Sequence, residues 1–213
     1  MAGLDDIVQD LSRRLDAKNQ VRELALNRSR DLIRLCANSI RAVHRREHAR
    51  ARELLAQAAA LASEMRHGTE GHPDVYFAGY TQDALKEFVE ANITYAVIAN
   101  EPIPTADDLQ AEAPAYLNGL AESMGEMRRH VLDLIRADSL ERAEQILAIM
   151  DEVYWLLAAV DFPAAITGDL RRSTDMVRGV LERTQSDLTS AQEQARMRKA
   201  LRDFEARLDA PQA

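Results

Sequence analysis

GYTQDALKEFVEANITYAVIAN, residues 79–100, is the stretch on which the fold turns. Projected at about 100° per residue, Asp83, Glu87, Glu90 and Thr94 share a sector about 60° wide. Ile93 and Val97 border that sector on one side, and Tyr80, Ala91 and Ile98 on the other. Leu85, Phe88, Val89 and Ala96 face away from it. A helix that is apolar nearly all round belongs inside a helical protein, so its acidic stripe is expected in a cleft or at an interface.

The flanking sequence continues in the same period. From Leu4 to about His48, apolar residues recur at helical spacing, implying one long helix or two in line, and a second helix follows over about 47–66. HGTEGHP (67–73) breaks the chain, and Pro73 suits the first turn of the helix that runs on to about Asn100. NEPIPTADDLQAEAP (100–114) is the longest connection, with room for one helical turn after Thr105. Further helices are predicted over about 115–136, from a Ser139 cap to Asp161, and from about Gly168 to Leu208. Hairpin signals and repeats are lacking, so the expectation is an all-α, antiparallel bundle of six or seven helices, folded as a single domain over 1–213.

Composition narrows the partners. With 213 residues and 46% apolar content the chain can build a sizeable core, while a net charge of −8 argues against indiscriminate nucleic-acid binding. Any phosphate site must be local. The cations are almost all arginine, only Lys18, Lys86 and Lys199 being lysine. One cysteine, Cys36, allows no internal disulfide and fits a reducing compartment. Neither a secretory leader nor a run of about 20 apolar residues is visible, so a cytoplasmic protein without membrane association is expected.

A second acidic stripe lies in LNGLAESMGEMRRHV (117–131), where Glu122 and Glu126 fall about 40° apart on the helical projection. Gly119 and Gly125 each cost a helix about 1 kcal/mol relative to alanine, which suggests that another backbone passes close by. Such a crossing would unite the two glutamate pairs. On solvated faces they would do nothing special. Converging in a confined site, they would need protons or divalent cations, and hard oxygen ligands favour Mg²⁺ or Mn²⁺. A metal held there can activate water against a phosphodiester.

GYTQDALKEFVEA (79–91) and YLNGLAESMGEMRR (116–129) resemble the translin superfamily, and within it the translin-associated factor X branch, whose QEYVEA and GVADLTGELMR segments occur in the same order. The resemblance runs from about residue 20 to about 190, and the compact chain is similar to an archaeal-type member. It implies a translin-like fold and a Mg²⁺-dependent endoribonuclease acting on single-stranded RNA, with active sites facing the cavity of an octameric homo-oligomer. It also implies that Glu87, Glu90, Glu122 and Glu126 are the catalytic metal ligands, Glu122 replacing a family aspartate. Plain translin, an RNA and single-stranded DNA binder, has an apolar residue at the Glu122 position. VYFAGYTQD (75–83) departs from the eukaryotic relatives in lacking their Arg and His.

Other segments leave alternatives open. Arg128 and Arg129 are candidate RNA contacts, and Arg129 equally suits an intrahelical ion pair with Glu126 or Asp133. HRREHARAR (44–52) is a solvated charge run or an RNA contact, and Arg171, Arg172, Arg178 and Arg183 suit salt bridges between subunits. Tyr154 and Trp155 read as core or interface residues. The histidines have neither HExxH spacing nor an ExxH partner for the glutamates, which argues against zinc hydrolase and di-iron chemistry. Two rival functions stand beside the nuclease: a non-catalytic RNA or single-stranded DNA binder, and an all-α nucleoside triphosphate pyrophosphohydrolase, whose usual ExxD this chain's ExxxE fits poorly.

Overall fold

The structure, a computed structural model, describes residues 3–208. The ends of the expected domain, 1–2 and 209–213, lie outside the described residues. Six long helices form the body: α1 (Leu4–His44), α2 (His48–Gly68), α4 (Gly79–Ala99), α6 (Ala113–Arg136), α7 (Leu140–Ala158) and α9 (Leu170–Leu208). Between them stand three single turns, α3 (Pro73–Tyr76), α5 (Ala106–Leu109) and α8 (Ala164–Thr167). The described residues contain no strand.

Local chemistry sets the breaks. The predicted helix from Pro73 to Asn100 is divided, because Ala78 is extended and two side chains of the next turn bind the carbonyls before it. Thr81 Oγ1 donates to Val75 O at 2.9 Å and Gln82 Nε2 to Tyr76 O at 2.9 Å, replacing the bonds a continuous helix would make. Asn100 closes α4 in the left-handed region with φ 58°. Thr105 and Asp108 then bond reciprocally as a capping box for α5. Ser139 does stand at the N-cap of α7, but its hydroxyl makes no capping bond.

Side-chain bonds reveal the helix directions. Lys86 in the first half of α4 meets Glu122 in the first half of α6, and Arg142, just past the end of α6, donates to Val97 O near the end of α4, so α4 and α6 run the same way. Asn118, Arg128 and Asp138 meet Ser173, Thr184 and Arg198 in rising order, so α9 parallels α6. Antiparallel order holds for α1 against α2, where Ser29 meets Met65 and Ser39 meets Ala51. The long 100–112 connection is what permits the parallel pair, since a short turn forces the chain to reverse.

One apolar cluster joins the layers, drawing Leu32, Met65, Leu85, Ile93, Met124, Ile146, Met150 and Leu188 from the six long helices. The helix ends are different. Leu4, Val8, Leu11 and Leu15 on α1, and Met197, Leu201, Phe204 and Leu208 on α9, are exposed at helical spacing. Trp155 is 64% exposed, so it stands outside the protomer core.

The two glycines of α6 separate. A Cβ on Gly119 would lie 2.6 Å from Lys86 O and 2.8 Å from Val89 Cβ, so α4 and α6 cross there as closely as backbones can. Gly125 meets nothing within 4 Å, and the expected second close approach is absent. Gly125→Ala is therefore expected to stabilise the protein by about 1 kcal/mol through helix propensity alone. Thermal unfolding of the variant checks this, and a lower Tm contradicts it.

Candidate metal centre

The Gly119 crossing is what brings acids from two helices together. Glu87 and Glu90, three apart on α4, face Glu122, which lies one turn beyond Gly119 on α6. One carboxylate oxygen of each lies within 4.8 Å of the other two. Opposite oxygens around a cation with bonds of about 2.0–2.6 Å stand about 4–5 Å apart, so this donor set fits a hard divalent ion such as Mg²⁺ or Mn²⁺. All three side chains are half-buried.

Crowding leaves an electrostatic signature. Glu90 is pushed up to about 8, chiefly by burial and then by Glu87, Glu122 and Glu126. Glu87 is raised by burial and by Glu122, with Lys86 opposing. Beneath them, Cys36 on α1 is buried, and its thiol is driven far above its usual range by burial, Glu87 and Glu90 in that order. The pocket therefore carries more negative charge than its solvation supports.

The fourth glutamate stands aside. Glu126 Oε2 lies 2.5 Å from Nε2 of His44, the last residue of α1, and 3.6 Å from Nη1 of Arg129. The His44 hydrogen bond holds the Glu126 carboxyl below its ordinary value against the opposing effect of burial. His44 is 3% exposed, and its buried Nδ1 has no partner among the described residues. Placing the shared proton on Nε2 leaves a bare lone pair at Nδ1, which costs less than an orphaned N–H. Thus the four predicted ligands divide into a cluster of three and one histidine-bound neighbour.

Sequence reasoning missed this histidine. His44 opens the basic run 44–52, yet it lies four residues beyond Ile40 and eight beyond Cys36, on the buried face of α1. That spacing was the available signal. His130, with its ring centroid 6.4 Å from that of His44, is pushed down to about 4, chiefly by burial and then by His44. The remainder of the run is surface charge, with Arg45, Arg50 and Arg52 paired to Glu47, Glu53 and Glu101.

Lys86 was also missed as a site residue. Its Nζ donates to Glu122 Oε1 at 2.6 Å, with the two side chains 21% and 31% exposed. Burial pulls the ammonium down, but the Glu122 hydrogen bond, followed by the charges of Glu122, Glu87 and Asp83, leaves it raised.

The two predicted RNA-contact arginines part company. Arg128 is committed to α9, donating to Thr184 Oγ1 at 3.2 Å and pairing with Asp187 at 2.7 Å. Arg129 keeps half of its side chain exposed and makes the intrahelical pair with Glu126. Beside the cluster lies a cavity of about 820 Å³ whose wall includes Phe77, Asp83, Lys86, Asn118, Glu122 and Arg172. Asn118 fixes that wall, donating to Thr167 O at 2.8 Å and accepting from Ser173 Oγ at 2.7 Å.

Known proteins share this architecture. An uncharacterized protein of Methanocaldococcus jannaschii is 30% identical over 186 residues, which cover 87% of this chain and 82% of that protein. AfC3PO, solved in complex with duplex RNA, is 30% identical with a TM-score of 0.81 over 87% of this chain and 96% of its own. Apo-NeC3PO, 20% identical, has the same fold at a TM-score of 0.78 over 90% of this chain and 98% of its own. No family model matches the chain. The acidic segments 79–91 and 116–129 resemble the translin superfamily, and the fold and identity shared with translin-family C3PO agree with them: the chain belongs to the translin superfamily.

Proposed function

We propose that this protein is a divalent-metal-dependent endoribonuclease of the factor X-like type, cutting single-stranded RNA within a homo-oligomer. The observation that carries the reading is the convergence of Glu87, Glu90 and Glu122 from two helices into one half-buried pocket. The likeness to AfC3PO, whose complex holds duplex RNA, supports RNA as the ligand. Bound in such a pocket, Mg²⁺ or Mn²⁺ supplies an activated water and offsets charge on the phosphodiester.

The chain's own residues then have separate tasks. Glu87, Glu90 and Glu122 hold the ion. Glu126, kept ionised by its Oε2–His44 Nε2 hydrogen bond and close enough to act on Glu90, would accept a proton from the attacking water and pass it on. Arg129 is exposed enough to meet a phosphate, while Arg128 holds α6 against α9 and leaves RNA contact to others. The exposed apolar stripes of α1 and α9 suit contacts with further copies of the chain, in an octamer as the family resemblance implies.

The deciding experiment incubates the purified protein with end-labelled single-stranded RNA, and with the same sequence as a duplex, in Mg²⁺ and in excess chelator. Internal fragments from the single strand in Mg²⁺ alone are expected. Binding without cleavage in Mg²⁺ or Mn²⁺ assigns the non-catalytic binder and overturns the nuclease. Pyrophosphate release from nucleoside triphosphates without RNA cleavage does the same in favour of a pyrophosphohydrolase. Light scattering on the same sample is expected to give eight copies, and a monomer would remove the enclosed-cavity part of the reading.

A further inference from the structure

Three acids converge on the pocket, but one cation is already there. Lys86 Nζ sits 2.6 Å from Glu122 Oε1, and the charges of Glu87 and Asp83 also act on it. Its backbone has no freedom to withdraw. The carbonyl of Lys86 is the atom that a Gly119 Cβ would approach to 2.6 Å, so the close crossing fixes the root of the side chain beside Glu122. Only the four-carbon stem can move. Lys86 also lines the 820 Å³ cavity, which gives the stem somewhere to go.

We propose that Lys86 is an exchangeable internal cation, which occupies Glu122 when the pocket is empty and must vacate it into the adjoining cavity when a divalent ion binds. This rests on the reading of Glu87, Glu90 and Glu122 as a cation site. Glu122 cannot serve both cations at close quarters, because an ammonium and a divalent ion on one carboxylate repel each other in a half-buried setting. A monovalent ion offers Glu122 no more charge than the lysine already supplies, whereas a divalent ion does. Lys86 therefore acts as a specificity-determining residue, setting a threshold that favours double charge. In the loaded state its ammonium joins Arg172 in a cavity whose wall also holds Asp83 and Asp169, adding positive charge next to the pocket.

Lys86→Met keeps the apolar stem and removes the charge, and Lys86→Arg keeps the charge. Isothermal titration of Mn²⁺ into the metal-free full-length protein is the test. The Met variant is expected to bind Mn²⁺ about tenfold more tightly than wild type, the factor that about 1.4 kcal/mol represents, and to show a lower Tm without metal. The Arg variant is expected to stay within about twofold of wild type, a difference below 0.5 kcal/mol. Equal or weaker Mn²⁺ binding by Lys86→Met overturns the exchange while leaving the cation site standing. Absence of Mn²⁺ binding in every variant and in wild type overturns both.

Discussion

Glu90→Gln is expected to lose cleavage by about a thousandfold, the equivalent of about 4 kcal/mol of transition-state stabilisation, while making the metal-free protein more stable at neutral pH. Both effects have one cause. Glu90 is the acid most crowded by its neighbours, raised to about 8 from an ordinary 4.5. As pH rises from about 4.5 to about 8, the unfolded chain releases this proton and the folded protein keeps it. Stability contributed by the protonated form is thus present below 4.5, declines across that window, and is fully lost above 8. Glutamine retains the shape and carries no charge, so its benefit should be near zero at pH 5 and reach about 1–3 kcal/mol at pH 8, discounted for partial solvent access. Calorimetry at the two pH values, beside a cleavage assay, measures both halves. A variant that still cuts RNA sinks the catalytic assignment, and a pH-independent stability change sinks the crowding.

That opposition between stability and metal capture explains why the cluster was readable and its surroundings were not. The acid stripe of α4 needs only the helical period, and the buried Leu85, Phe88, Val89 and Ile93 around it follow from the same count. The crossing at Gly119 was equally legible, because an interior helical glycine has few other reasons to exist. Gly125 carried the same signal without the same cause. Helix direction was hidden: a chain may return parallel or antiparallel after a connection as long as 100–112, and no periodicity distinguishes the two. His44 and Lys86 were hidden for a related reason, since their partners lie 82 and 36 residues away. His44 opens a run that suited solvated charge, Lys86 stands in a helix read as apolar nearly all round, and only the packing of α1 and α6 against α4 brings each to its partner. The exposed Leu4, Leu11 and Leu15 show the converse, a true helical stripe whose apolar face finds no cover within one protomer.

Gly119→Ala is expected to destabilise the protein by about 2 kcal/mol and to weaken Mn²⁺ binding with it. Alanine improves helix propensity by about 1 kcal/mol, so the sign depends on what the new methyl group meets. It meets Lys86 O at 2.6 Å and Val89 Cβ and Cγ1 at 2.8 and 2.9 Å, distances that real methyl groups do not tolerate. Turning the valine rotamer moves Cγ1 but neither Cβ nor the helical carbonyl, so α6 must move off α4. Such overpacking typically costs about 1–3 kcal/mol, and a backbone contact lies at the upper end or beyond. At about 2–4 °C per kcal/mol for a chain of this size, the Tm should fall by about 4–8 °C. Glu122, three residues along, moves with the helix, so the three oxygens separate and the ion loses a ligand. Gly125→Ala is the matched control on the same helix, expected to shift Tm the other way and to leave Mn²⁺ binding unchanged. If both alanines behave alike, the close crossing is not what assembles the pocket.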